Sequence, residues 1–212
     1  MDYYQPLLAG EKYHIVSRAT GSEKLFTEAE NYRFFLQRVD KYISPIADVF
    51  AYALLPNHFH FLVEIKSYET LYELYKNKKP QIKTTEPASK ENHNRQPEFV
   101  MQHFSNLLNS YTKAFNIRYS RKGALFMDYL RRVQIKNDEQ FFATVFYIHK
   151  NPVHHGLCKN MEDWKWSSYN TILSNAATKI ERQKLINEFG TIGQFVAFHD
   201  QPIYLKNAVV VE

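Results

Sequence analysis

The chain has 212 residues, enough for one well-buried domain and too few for two large ones. Lys and Arg outnumber Asp and Glu by 27 to 22, and 15 Tyr and 16 Phe make the chain rich in aromatics, a balance that suits a nucleic-acid partner without requiring one. The lone cysteine, Cys158, excludes an internal disulfide and a cysteine-based zinc site.

The first residues show no secretory signal, and no uncharged apolar run approaches the roughly 20 residues that span a bilayer. The expectation is a cytoplasmic protein with no membrane partner. Tyr13-His14-Ile15-Val16-Ser17-Arg18 alternates and is rich in β-formers, which predicts the first strand, followed by a loop at Gly21-Ser22. Thr27-Glu28-Ala29-Glu30 opens a helix in which Phe34, Phe35, Leu36, Val39 and Ile43 recur at helical spacing, and Ser44-Pro45 ends it. Residues 49–55 and 59–65, separated by the turn chemistry of Pro56-Asn57, read as a hairpin of apolar strands near the middle of a sheet.

A short helix over 66–76 gives way to residues 77–97, a polar stretch with three prolines and a positive excess, expected to be a mobile loop. A helix over 98–117 buries Phe104, Leu107, Leu108, Tyr111 and Phe115. The basic turn Arg118-Tyr119-Ser120-Arg121-Lys122-Gly123 leads to a strand over 124–135 that bears Arg131 and Arg132. Asn137-Asp138-Glu139 caps a further helix, expected to stop near Lys150 because Pro152 would remove a hydrogen bond from its interior. Residues 1–170 are expected to form the domain and 171–212 a C-terminal appendage packed on it, with a short helix over 177–189. No repeat is visible.

Within this frame His58 and His60 lie one residue apart on a strand and therefore share a face, while Phe59 and Phe61 turn to the other. Two neutral imidazoles on one face are half of a metal site, or simply the polar face of a strand, so partners elsewhere decide the matter. Tyr147 and Asn151, four residues apart, lie one above the other on a helix. The first offers a hydroxyl nucleophile and the second an amide oxygen able to ligate a metal. A helix laid across the sheet face that displays His58 and His60 would gather all four.

At these residues a family resemblance enters. His58-Phe59-His60, within Leu54-Leu55-Pro56-Asn57-His58-Phe59-His60-Phe61-Leu62, resembles the His-hydrophobic-His signature of the HUH single-tyrosine transposases. Tyr147-Ile148-His149-Lys150-Asn151-Pro152-Val153-His154-His155-Gly156 is similar to the tyrosine-helix signature of their branch associated with repetitive extragenic palindromes, and Trp164-Lys165-Trp166-Ser167-Ser168-Tyr169 resembles a further element of that branch. The resemblance implies an α+β, ferredoxin-like fold: a central antiparallel sheet of four or five strands with helices packed on one face. It implies Tyr147 as the catalytic nucleophile, His58, His60 and Asn151 as ligands of Mg²⁺ or Mn²⁺, and single-stranded or hairpin DNA as partner. The implied reaction is DNA transposition through a 5′-phosphotyrosine and a free 3′-OH, by a monomer or a homodimer, and Asn151 in place of Gln follows the repeat-associated branch.

Lys113, Arg118, Arg121, Lys122, Arg131 and Arg132 are candidates for phosphate contacts, with Lys150, His154 and His155 close in sequence to the nucleophile. His14 is a strand residue expected near the site, and His149 faces another side of the tyrosine helix. Two rival readings stand beside this one: a non-catalytic nucleic-acid-binding regulator of the same fold, and a metal hydrolase or oxygenase whose third ligand is Glu64.

Overall fold

The computed structural model describes residues 3–78, 96–127 and 130–201. Most of the loop expected over 77–97 lies outside the described residues, as does the end of the appendage. The elements follow in the order Lys12–Arg18 (β1), Ala29–Tyr42 (α1), Ala47–Leu55 (β2), His58–Ile65 (β3), Tyr68–Lys78 (α2), Gln96–Arg118 (α3), Arg131–Ile135 (β4), Asp138–His154 (α4), Tyr169–Leu173 (α5), Arg182–Phe189 (α6) and Ile192–His199 (α7). Among the described residues the strands form a four-stranded sheet in the order β2-β3-β1-β4, with every neighbouring pair antiparallel. Because β3 inserts between β1 and β2, the chain makes the split β-α-β arrangement of ferredoxin-like folds. The α+β class is as the sequence predicts, and the antiparallel sheet has four strands where four or five are expected.

Helix coverage differs from the expectation of a single covered face. On one face Tyr13, Ile15, Phe59, Phe61, Val63 and Ile65 pack against Phe35 and Val39 of α1 and Phe104, Leu107 and Tyr111 of α3. On the other, Val16, Leu62, Val133 and Ile135 meet Phe141, Val145 and Ile148 of α4, joined by Ile172, Leu185 and Phe195 from α5 to α7. Both faces are apolar because the central strands carry hydrophobic residues at odd and even positions alike. Each fully buried Phe or Leu contributes roughly 1.5–3 kcal/mol, and they are shared between two cores.

A register shift between Val49 and Ala51 marks a bulge in β2. Before it Ala47 and Val49 face the first core; after it Tyr52 and Leu54 do, while Phe50, Ala51, Ala53 and Leu55 face the second. The extra residue reverses the alternation, as a bulge must.

Three boundaries depart from prediction, the simplest being that the helix expected over 177–189 starts at Arg182. The strand expected over 124–135 contracts to β4, and Phe126 makes only an isolated bridge to Ala19. Helix α4 passes through Pro152 to His154. Proline deprives the Ile148 carbonyl of one donor, but so near the helix end the last turn still closes, with the His155 N–H donating to the Asn151 carbonyl at 3.0 Å.

Both sheet edges are occupied. Tyr4 bridges to Arg132 beside β4, where the Arg132 guanidinium donates to the carbonyls of Gln5 at 2.6 Å and Tyr4 at 3.0 Å. Along β2, the Leu54 N–H donates to the Trp166 carbonyl at 2.9 Å, the Tyr52 N–H to Ser168 Oγ at 2.9 Å, and the Trp164 indole N–H to the Leu54 carbonyl at 3.0 Å. Trp164-Lys165-Trp166-Ser167-Ser168-Tyr169 thus seals an edge that would otherwise invite strand pairing, and Trp166 stacks on Tyr32 with ring centroids 4.4 Å apart.

Candidate active site

The β2–β3 turn fixes the start of β3. The Pro56 carbonyl accepts from the Leu25 N–H at 2.7 Å and the Phe26 N–H at 3.1 Å, and the Asn57 carbonyl from the Ala19 N–H at 2.7 Å. From this anchored turn strand alternation sends Phe59 and Phe61 into the first core and His58 and His60 to the face covered by α4. Antiparallel pairing then builds rows across that face: Leu55, His58 and Arg18 in one, and Ala53, His60, Val16 and Arg131 in the next.

Helix α4 brings Tyr147 and Asn151 onto this surface. His58 Nε2 lies 3.2 Å from Asn151 Oδ1, and His58 Nδ1 lies 2.7 Å from Asn57 Oδ1. Each amide oxygen only accepts, and a neutral imidazole has one proton to give, so His58 can serve only one of them; with the proton on Nδ1, at the shorter contact, Nε2 retains a lone pair. His58 Nε2 and Asn151 Oδ1 are then two acceptors in contact. Adjacent ligands of an octahedral cation at about 2.1 Å also stand roughly 3 Å apart. His60 Nε2 and Asn151 Nδ2 are buried without a hydrogen-bond partner. A hydrogen-bonded core leaves few such orphans, and the His60 ring lies with its centroid 5.1 Å from that of His58, a neighbourhood that suits a cation. The donors present therefore fit the divalent ion that the resemblance implies. Among the described residues no group of three or more His, Cys, Asp or Glu side chains is placed to hold a metal, so a site built on His58 and His60 would need the Asn151 amide.

Burial holds both histidines neutral: desolvation lowers the His58 pKa to about 4 and drives that of His60 well below the usual value. The Tyr147 ring packs edge-on against His60, with centroids 5.6 Å apart, and against His14 at 5.8 Å. His14 Nε2 lies 3.0 Å from His60 Nδ1. The cluster is shielded, with Tyr147 3% exposed, His60 1% and Asn151 and His14 0%. Beside it, a cavity of about 360 Å³ is lined by Ser22, Glu23, Lys24, Asn57, His58 and His155 among others, and the His155 ring stands edge-on to His58 at 5.0 Å.

The basic candidates scatter. Arg131 shares the site face with His60, and His155 adjoins His58. Lys150 is half-buried and His154 exposed at the end of α4. Lys113 and Arg118 sit on α3, over the opposite sheet face; Arg118 pairs with Glu28 at 2.6 Å. Arg121 bonds to Glu23 at 2.9 Å and to the Gly123 and Ala124 carbonyls, Lys122 is exposed in the following turn, and Arg132 holds the N-terminal segment. Glu64, the ligand of the rival metal reading, is bonded to Lys184 at 2.9 Å. Four residues along β3 from His60, it stands about 13 Å away.

Sequence reasoning missed Arg18, the cross-strand partner of His58 on the site face. Its signal was its place four residues after His14, which alternation puts on the same face, although the pairing register is needed to set it opposite His58. His149, which faces away from the site as expected, is buried in a line of hydrogen bonds with Ser168 Oγ at 2.8 Å and His199 Nε2 at 2.9 Å.

No protein-family model matches the chain, and no curated protein matches it. Its structure is similar to a solved structure, that of a REP-associated tyrosine transposase bound to a REP hairpin, with a TM-score of 0.55 at 15% sequence identity, covering 82% of this chain and 86% of that one. At that identity the likeness is one of fold.

Proposed function

We propose that this chain is a transposase-like single-tyrosine enzyme that cuts and rejoins single-stranded DNA at hairpin-type ends. Tyr147 is its nucleophile, and His58, His60 and Asn151 hold Mg²⁺ or Mn²⁺. The observation that carries this reading is the meeting of His58 and Asn151, 93 residues apart, with the Tyr147 ring packed on His60 beside them. The fold likeness supports it, since the similar structure is bound to a hairpin.

A cation bound by these ligands would withdraw charge from a phosphate oxygen and stabilise the charge added in the transition state. The chain supplies the rest. Neutral His58 and His60 keep lone pairs available at pH 7, and their rigid strand fixes where a phosphate is held. Arg18 and Arg131, on the same face, meet neighbouring phosphates as point contacts. The Tyr147 oxygen forms a bond to phosphorus as the bond to the 3′ oxygen breaks; the hydroxyl proton passes to water and the leaving 3′ oxygen takes a proton from water. A 5′-phosphotyrosine and a 3′-OH result. The covalent linkage retains the bond energy, so attack by another 3′-OH rejoins the strand without a nucleotide cofactor. This reading places the protein in the cytoplasm with its DNA, and no helix of the described residues is long and apolar enough to cross a membrane.

The test is cleavage of a 5′-labelled hairpin oligonucleotide with Mn²⁺ or with EDTA. A labelled fragment ending in 3′-OH, formed only with metal, is expected. Binding of the hairpin with no cleavage under either condition would replace the enzyme with a regulator of the same fold.

A further inference from the structure

His14 belongs to the first strand, outside the motifs that carry the proposed chemistry, yet it is fully buried against the ligand set. Pairing of β1 with β3 sets Val16 opposite His60 and His14 opposite Leu62, so His14 and His60 are diagonal neighbours on one face, close enough for long side chains to meet. They meet through one nitrogen each, His14 Nε2 and His60 Nδ1, 3.0 Å apart, with the rings stacked at a centroid distance of 5.1 Å. One proton lies between these nitrogens, and its owner decides what His60 can do. If His60 carries it on Nδ1, its buried Nε2 presents a lone pair toward the site. If His14 carries it on Nε2, His60 must place its own proton on Nε2, where the fold supplies no acceptor. A buried N–H without an acceptor costs on the order of 1–3 kcal/mol, so the first arrangement wins.

We propose that His14 is a positioning residue: by accepting the Nδ1 proton of His60 it fixes the tautomer and ring plane that aim His60 Nε2 at the metal position. The inference rests on the metal-site reading above. Metal-bound histidines commonly donate their second N–H to a carboxylate or carbonyl that sets tautomer and orientation; here a neutral imidazole takes that part. The same ring pair forms the wall on which Tyr147 rests edge-on, which links the plane of the ligand to that of the nucleophile.

Two measurements on the full chain test this. Long-range ¹H–¹⁵N correlation of histidine-labelled, metal-free protein should report His60 protonated at Nδ1 and bare at Nε2; the opposite tautomer would overturn the proposal without any variant having to fold. Mn²⁺ titration by electron paramagnetic resonance should then separate two substitutions. His14→Gln keeps an acceptor where Nε2 stood and should bind Mn²⁺ within about threefold of the parent chain, whereas His14→Leu should bind roughly 10–100-fold more weakly. Equal affinity in all three proteins, or no Mn²⁺ binding by the parent, would also overturn it. The proposed function fails separately: Mn²⁺ affinity that depends on His14, with no DNA cleavage, would keep the positioning role and lose the enzyme.

Discussion

The 3.2 Å approach of His58 Nε2 to Asn151 Oδ1 makes the metal reading answerable one side chain at a time. Asn151→Ala removes one of the two facing acceptors and should weaken Mn²⁺ binding roughly tenfold or more. Glu64→Gln, about 13 Å along the strand, should leave it unchanged, because that carboxylate is engaged with Lys184. Isothermal titration of the two variants checks both statements, and the reverse order of effects would favour the hydrolase reading. Arg18→Ala should weaken hairpin binding alike for all sequences and lower the slope of log affinity against log salt by about one, measured by fluorescence anisotropy. The two candidate pairs were legible in the sequence because each lies within one element: alternation puts His58 and His60 on one face, and helical spacing aligns Tyr147 with Asn151. Arg18 and the contact of His14 with His60 were not, since both depend on which residues β1 and β3 set opposite each other.

At the scale of elements, α4 is the piece on which the site depends, and it is tied at both ends. Asn137 caps it by accepting from the Gln140 N–H at 2.9 Å, so Asn137→Ala should cost about 1 kcal/mol and lower the melting temperature by a few degrees. On its far side His199 Nδ1–H donates to the Phe195 carbonyl at 2.8 Å, His149 Nδ1–H to His199 Nε2, and the Ser168 hydroxyl to His149 Nε2. Every step has one direction, because a carbonyl at the end can only accept. Desolvation first, against the Phe195 carbonyl and Asp200, lowers the His199 pKa to about 4, and its packing neighbours His149 and Tyr169 offer no charge to offset it. The unfolded chain therefore takes up this proton before the folded one. Stability is full above the unfolded value near 6.5 and falls as the pH drops toward 4, by roughly 3 kcal/mol from this residue alone. Chemical denaturation at pH 7, 5.5 and 4.5 should show that decline, and Ser168→Ala should add a loss at every pH by leaving His149 Nε2 without a donor. Pro152 misled the placing of the end of α4 because a proline close to a C-terminus breaks one bond without breaking the helix.

For the whole molecule, the element order was readable from periodicity, but the elements that cover the second face of the sheet were not. Apolar residues at odd and even strand positions announce two covered faces, and what covers the second is α4 with the C-terminal helices, where α6 and α7 carry only short patterns. The Trp-rich segment and the N-terminal residues close both edges of the sheet among the described residues, which leaves little ladder for a second copy to pair with. On the proposed function, this sheet, covered on both faces, holds one tyrosine against one metal position. Incubation of the full chain with 3′-labelled hairpin oligonucleotides and Mn²⁺, followed by a denaturing gel, tests it most directly. A labelled protein–DNA adduct is expected that disappears with EDTA and in Tyr147→Phe, while the variant still binds the hairpin. An adduct that persists in Tyr147→Phe, or hairpin binding by the parent chain without any adduct, would contradict the account.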